Sequence, residues 1–210
     1  MTLKEIFLTY IHYLIHPFKT HEMLMYPSRF EDKLARLSSY ESLSISWVFV
    51  VMNGFLRICV LNLVLIMFAS LLRSAEAEMG ALINIGDIPS LYLIVLSSLL
   101  DVIFFPLFGI FIIQFWEVLI RMVGALLQTP GNVAEKADDI ISVYFSANIL
   151  QIVPILGAPL KGFAGMILMY AGLRKQINAS PTLSICVILA PLLFALILLS
   201  IIMLLFLISL

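Results

Sequence analysis

Two residues of opposite charge, Arg57 and Asp101, lie within long apolar stretches of this sequence. A charge inside an apolar segment is costly unless it is paired or functional. Counted at 1.5 Å per helical residue, Arg57 is about 16 Å from Ser46, and Asn53 lies one turn before it. Asp101 is about 18 Å from Pro89, so antiparallel helices would bring the two charges to one level. The spacing predicts an Arg57–Asp101 ion pair.

The composition indicates that a membrane surrounds these segments. Hydrophobic residues make up 62% of the 210 residues and charged residues only 12%, whereas soluble domains are about half apolar and a quarter charged. A bilayer accepts such an excess of apolar side chains, so the chain is predicted to be an all-α, polytopic transmembrane helix bundle. The net charge is -1 without a basic block, so membrane lipids are expected partners and nucleic acid is not.

Five apolar segments are predicted to span the membrane, and they make up a transmembrane domain over residues 46–210. Their bounds are about 46–72, 89–110, 140–156, 160–173 and 182–208. The second segment is expected to continue as a cytoplasmic helical extension to residue 127. Residues 1–45 form a cytoplasmic segment, with an interfacial amphipathic helix over residues 3–15 and a solvated stretch over residues 18–41.

Positive charges set the predicted orientation. With five spans, nine Lys and Arg residues lie on the side of the N-terminus and two, Arg73 and Lys161, on the other. Dividing residues 89–127 into two spans near Pro106 makes the distribution six against five. The five-span arrangement places the N-terminus in the cytoplasm and the C-terminus outside.

The third segment is too polar to face lipid, because it contains Asn148 and Gln151. These two residues join Asn53, Arg57 and Asp101 in a candidate intramembrane polar core. The core is either a structural clamp that fixes the register of two helices or a site on a substrate pathway.

The turn after the third segment contains Pro154, Gly157 and Pro159. These residues cannot all continue a helix, so they predict a hinge between two short helices. The resulting hairpin either crosses the bilayer or re-enters it from the cytoplasmic side.

Glu117 and Arg121 are spaced i,i+4 with the acid first, which favours an ion pair on a helix surface. Trp116 beside them is predicted to anchor the helix at the membrane interface.

No motif in the sequence indicates catalysis or a cofactor. His12 and His16 are spaced for a metal ion, but no second cluster completes a site. Met25 stands where the H-E-x-x-H motif that begins at His21 would need its second histidine. The chain is therefore predicted to be non-enzymatic, without a metal site.

Four short segments occur in an order shared with a known family. They are H-P-F-K-T (residues 16–20), Q-T-P-G-N-V (128–133), V-Y-F-S-A-N-I-L-Q-I-V-P (143–154) and Y-A-G-L-R-K (170–175). In these features, with Ser180 and a last apolar span, the chain resembles the Yip (Ypt-interacting protein) domain family.

The resemblance implies a non-enzymatic five-span membrane protein. Eukaryotic members bind Rab-type GTPases and act in vesicle traffic, whereas bacterial members reside in the inner membrane. Only about 45 residues precede the first predicted span, and eukaryotic members usually carry a longer arm. The chain is therefore most similar to a bacterial-type member in the inner membrane.

Two functions remain open. In the first, the cytoplasmic face contacts protein partners in a membrane-organising or trafficking-type role, and the polar core holds the bundle together. In the second, the polar core lines the path of a transporter or lipid-translocating protein, with Arg57 meeting an anionic group.

Overall fold

A computed structural model describes residues 3–30, 34–76, 89–153 and 156–209. Within those ranges the chain is helical and contains no strand, which confirms the all-α prediction. Its helices are α1 (Leu3–Ile15), α2 (Pro17–Met25), α3 (Ser39–Glu76), α4 (Pro89–Leu126), α5 (Val133–Phe145), α6 (Gly157–Lys175) and α7 (Pro181–Ser209), with 3-10 helices η1 (Pro27–Arg29) and η2 (Ser146–Ile152).

Three helices are long and apolar enough to cross a membrane: α3, α4 and α7. Their apolar parts are Ser39–Val64, Val95–Leu126 and Pro181–Phe206. Helix α4 continues through Pro106 without interruption, as the charge distribution predicted. The last helix is exposed along nearly its whole length, as a lipid-facing helix would be.

Helix α3 begins with a capping box. The Ser38 backbone N–H donates to Glu41 Oε2 at 2.8 Å, and the Glu41 backbone N–H donates to Ser38 Oγ at 3.2 Å. Helix α5 is capped by Asn132, whose side chain accepts from the Ala134 backbone N–H at 3.1 Å. These local signals fix where both helices start.

Polar contacts join the first turns of α3 to α5, and we call them the α3–α5 seam. Its hydrogen bonds are Ser39 N–H to Asp138 Oδ1 at 3.0 Å, Ser42 Oγ with Ser142 Oγ at 2.7 Å, and Ser46 Oγ–H to Phe145 O at 2.9 Å. The members recur every three or four residues, so they lie along one stripe of α3.

Arg36, just before the start of α3, adds an ion pair to the seam. Its Nε and Nη2 donate to the two carboxylate oxygens of Asp139, each at 2.8 Å, and Nη1 contacts Glu135. The hydrogen bonds that Arg36 donates to Asp139 raise the pKa of Arg36 above its ordinary value, so the guanidinium stays charged. Asp139 is only 4% exposed, and this bidentate partner satisfies its charge.

Helices α5 and α6, joined through η2, form the predicted hairpin with different bounds. The expected segments 140–156 and 160–173 become Val133–Ile152, of which the last seven residues are 3-10, and Gly157–Lys175. The two arms approach closely at glycines. A Cβ on Gly172 would lie 2.8 Å from Ile140, and one on Gly165 the same distance from Tyr144.

Trp116 is not an exposed anchor residue. It is buried in the main apolar cluster, where its ring packs against Phe115 and Tyr144. The anchor prediction was wrong because Trp116 faces the inside of the bundle, while Glu117 and Arg121 lie on an exposed side of the same helix.

The N-terminal helices pack on the hairpin and are not merely solvated. In α1, Tyr10 and Tyr13 are buried, and their hydroxyls donate to Ser42 O at 3.3 Å and Ala35 O at 2.8 Å. In α2, Thr20, His21 and Met23 are buried, contrary to the solvated stretch expected over residues 18–41. No local signal in the sequence indicates this burial, because these contacts are made to distant parts of the chain.

His21 links α2 to α6. Its Nε2 lies 3.2 Å from Leu168 O, which only accepts, so Nε2 carries the proton. Nδ1 then accepts from Gln176 Nε2 at 3.0 Å. Burial lowers the pKa of His21 from 6.5 to about 4, so the imidazole is neutral at pH 7.

The His21 contact predicts acid sensitivity. Because the pKa of His21 is lower in the folded chain, stability is full above pH 6.5 and falls as the pH drops toward 4. The expected loss is on the order of 3 kcal/mol over that interval. His21→Gln should flatten the dependence of Tm on pH between 7 and 5 in detergent, while His16→Gln, at an exposed position, should not. An unchanged slope in His21→Gln would contradict the assignment.

Candidate functional site

A polar cleft of about 400 Å³ opens between α3, α4 and the tip of the hairpin, and we call it the Arg57 cleft. Its polar and charged lining residues are Asn53, Arg57, Ser98, Asp101, Gln151 and Lys161. Apolar residues, including Val50, Phe104, Phe105 and Phe108, form the remaining walls.

Arg57 and Asp101 face one another across the cleft, at the level that the helix lengths predicted. Arg57 Nη1 lies 3.8 Å from Asp101 Oδ2, which is beyond hydrogen-bond distance. The side chains are 49% and 70% exposed. The pair is thus open and loosely coupled, unlike a close-packed clamp.

Close contact of α3 and α4 sets this level. A Cβ on Gly54 would lie 3.3 Å from Val102 Cγ2, and the Trp47 indole donates to Val102 O at 2.8 Å. Farther along, Leu43 packs directly against Gly109. These contacts hold the helices antiparallel, with Arg57 and Asp101 adjacent.

Lys161 lines the cleft, which the sequence analysis did not predict. The five-span arrangement placed it on the outside, but the first turns of α6 bring it to the cleft, with Nζ 5.8 Å from the centre of the Phe105 ring. The signal in the sequence that could have indicated this position is the shortness of the two hairpin segments. Helices of that length do not reach as far as the ends of α3 and α4, so Lys161 lies beside the middle parts of those helices.

The three amide side chains of the predicted polar core do not all line the cleft. Asn53 and Gln151 line the cleft, whereas Asn148 is buried behind it. Asn148 donates to Phe145 O at 2.8 Å and accepts from Gln151 Nε2 at 3.2 Å. Asn148 therefore positions Gln151 and does not line the cleft.

The other predicted features lie away from the cleft or beside it. Arg121 Nη1 is 3.1 Å from Glu117 Oε1 on an exposed face of α4. Of the hinge residues, Gly157 and Pro159 belong to the first turn of α6 rather than to a loop, and Pro154 lies outside the described residues. A Cβ on Gly157 would meet Leu150 O at 2.7 Å, so only glycine fits there.

The cleft has the chemistry of an anion-binding site. A guanidinium and an ammonium face one carboxylate, an excess of one positive charge, and Asn53, Ser98 and Gln151 add amide and hydroxyl groups. The buried Ser98 Oγ has no hydrogen-bond partner among the described residues, so it is free to donate to an occupant.

These features define a multi-pass helical membrane protein with a charged cleft between its helices. A scan against family models finds no match, and searches of curated proteins and of solved structures find none either.

We predict that the Arg57 cleft holds water. In a Cys59→Ser, Cys186→Ser background, Asn53→Cys should react with a charged methanethiosulfonate reagent. Hydrocarbon excludes a charge by about 3 kcal/mol, so native Cys59, measured in a chain that carries Cys186→Ser alone, should react roughly 100-fold more slowly. Equal rates in lipid nanodiscs would contradict a hydrated cleft.

Proposed function

We propose that this chain is a non-enzymatic membrane protein that binds an anionic group, a lipid headgroup or small solute, in the Arg57 cleft, as a transporter or lipid-translocating protein does. The observation that carries the proposal is the open arrangement of Arg57, Asp101 and Lys161. A structural clamp favours a close, hydrogen-bonded pair, and the 3.8 Å separation does not provide one.

The free-energy cost of charge within apolar segments favours a bound anion in the Arg57 cleft. Apolar stretches continue past the pair on both helices, over residues 58–72 and 89–100. Each charge in such surroundings costs about 3 kcal/mol unless water, a partner or a ligand satisfies it. An anion would neutralise the excess positive charge.

We further propose a cytoplasmic N-terminus, an outside C-terminus and a bacterial inner-membrane location. The hairpin is then re-entrant, a variant of the five-span topology with the same orientation. The part of its first arm that follows the acidic residues Asp138 and Asp139, from Ile140 to Ile152, rises about 23 Å, short of the ~30 Å hydrocarbon core. Residues of its tip line the same cleft as Arg57 and Asp101.

Two labels test the topology. A C-terminal reporter fusion in bacterial cells should be active outside, and a cytoplasmic C-terminus would contradict both variants. A bulky maleimide-polymer added to intact spheroplasts should not reach Ala158→Cys at the hairpin tip of the cysteine-free chain. Rapid modification of Ala158→Cys from outside would instead favour five complete spans.

A membrane-organising role of the Yip type is the second candidate. The observation that favours it is the rigid assembly of α1, α2 and α5, which the α3–α5 seam and His21 hold together. Such a preformed surface suits a protein partner, because little conformational entropy is lost on docking.

Protection of Asn53→Cys tests the main proposal. In nanodiscs, anionic phosphatidylglycerol should slow its reaction with a cationic methanethiosulfonate reagent relative to neutral phosphatidylcholine, because the headgroup occupies the cleft. Surface potential alone would accelerate a cationic reagent, as an exposed Lys4→Cys control should show. Adding Lys161→Gln should remove the protection.

The stability of the Arg57→Leu, Asp101→Leu double variant distinguishes a structural clamp from an anion-binding site. If Arg57→Leu and Asp101→Leu are each severely destabilising, the double variant recovers the parent Tm, and phosphatidylglycerol gives no protection, the pair is structural. The anion-binding proposal would then be wrong, and the membrane-organising role would stand.

A further inference from the structure

A second charged cleft lies at the other end of α6. It has a volume of about 510 Å³ and lies between α2, the segment that follows it and the C-terminal turn of α6. We call it the α2–α6 cleft, and its lining residues are Phe18, Glu22, Met25, Tyr26, Arg29, Phe30, Arg174, Lys175 and Asn178. None of them lines the Arg57 cleft.

The α2–α6 cleft is positively charged. Arg29, Arg174 and Lys175 face a single acid, Glu22, an excess of two positive charges. Arg174 and Lys175 occupy the last turn of α6, where the helix dipole favours cations. Asn178, in a left-handed conformation at φ 59°, lies three residues after the end of α6, where the chain turns beside the cleft.

The three cationic side chains of the α2–α6 cleft differ in the contacts that their N–H groups make. Lys175 forms an ion pair with Glu22. Arg174 uses Nη1 to donate to Ala179 O at 2.6 Å, which fixes its guanidinium against the backbone. The Arg29 guanidinium lies 4.5 Å from the centre of the Tyr26 ring. Stacking uses the face of Arg29, so its N–H donors at the edge remain directed toward the surroundings.

The position of the cleft matches the depth of lipid headgroups. Helix α7, the most apolar candidate span, begins at Pro181, six residues after Lys175. Phe18 and Tyr26 are 40% and 42% exposed beside the cations. Aromatic and basic side chains next to the start of a span are typical of the membrane interface.

We propose that the α2–α6 cleft binds the phosphate group of an anionic phospholipid through Arg29, Arg174 and Lys175. Phosphate is the shared chemistry of a lipid headgroup and a free phosphate ion, and guanidinium groups bind it through paired hydrogen bonds. The aromatic rim beside the start of α7 favours the lipid. Glu22 competes with the phosphate for Lys175.

Binding of three probes to detergent-purified protein tests the proposal: short-chain phosphatidylglycerol, short-chain phosphatidylcholine and inorganic phosphate. Arg29→Gln should weaken phosphatidylglycerol binding about tenfold. Glu22→Gln should tighten it several-fold, because Lys175 is released, and an unfolded variant cannot imitate this gain. The matched control is Arg121→Gln, which removes one exposed charge elsewhere and should change little.

The measurements are repeated in an Arg57→Gln background, so that loss at the Arg57 cleft and loss at the α2–α6 cleft are distinguishable. If inorganic phosphate competes equally well, the phosphate site stands and its source is soluble. No binding in that background, equal losses in Arg29→Gln and Arg121→Gln, or weaker binding in Glu22→Gln would each overturn the proposal.

Discussion

The α3–α5 seam is the interaction on which the other elements depend. It joins the start of α3 to α5. Asp138 accepts a hydrogen bond from the first turn of α3, and Asp139 accepts one from Arg36, just before that turn. Buried hydrogen bonds of this kind are costly to leave unmade, so they specify one register. With the register fixed, α5 directs the hairpin toward the level of Arg57, while α1 and α2 cover the hairpin.

The fold was predictable where the signals were local. Apolar length gave α3, α4 and α7, because hydrophobic segments of this length have few alternatives in a chain of this composition. The level shared by Arg57 and Asp101 followed from the fixed rise of a helix. The seam was not predictable, because serines at helical spacing on α3 do not indicate which helix they face. The third segment was expected from residue 140, whereas α5 begins at Val133 and is capped by Asn132.

The candidate site was predictable only in part, for a related reason. Asn53, Arg57 and Asp101 lie on long straight helices, whose geometry can be counted from the sequence. Lys161 lies after a turn, and counting fails there because the direction of the following helix depends on tertiary contacts. The tight packing at Gly165 and Gly172 determines that direction. The resemblance to the Yip domain family concerns these same hairpin segments and stays a prediction, as does the number of complete spans.

The excess positive charge of the Arg57 cleft has an electrical consequence in an energised membrane. An elementary charge that crosses a potential of 100 mV gains or loses about 2.3 kcal/mol, and a charge halfway across gains or loses about half as much. In the orientation proposed above, a negative interior would pull the hairpin tip, which carries Lys161, toward the cytoplasm. A bound monoanion would cancel this force. The empty and occupied forms would thus respond differently to voltage, and the hairpin would sense the membrane potential only while the cleft is empty.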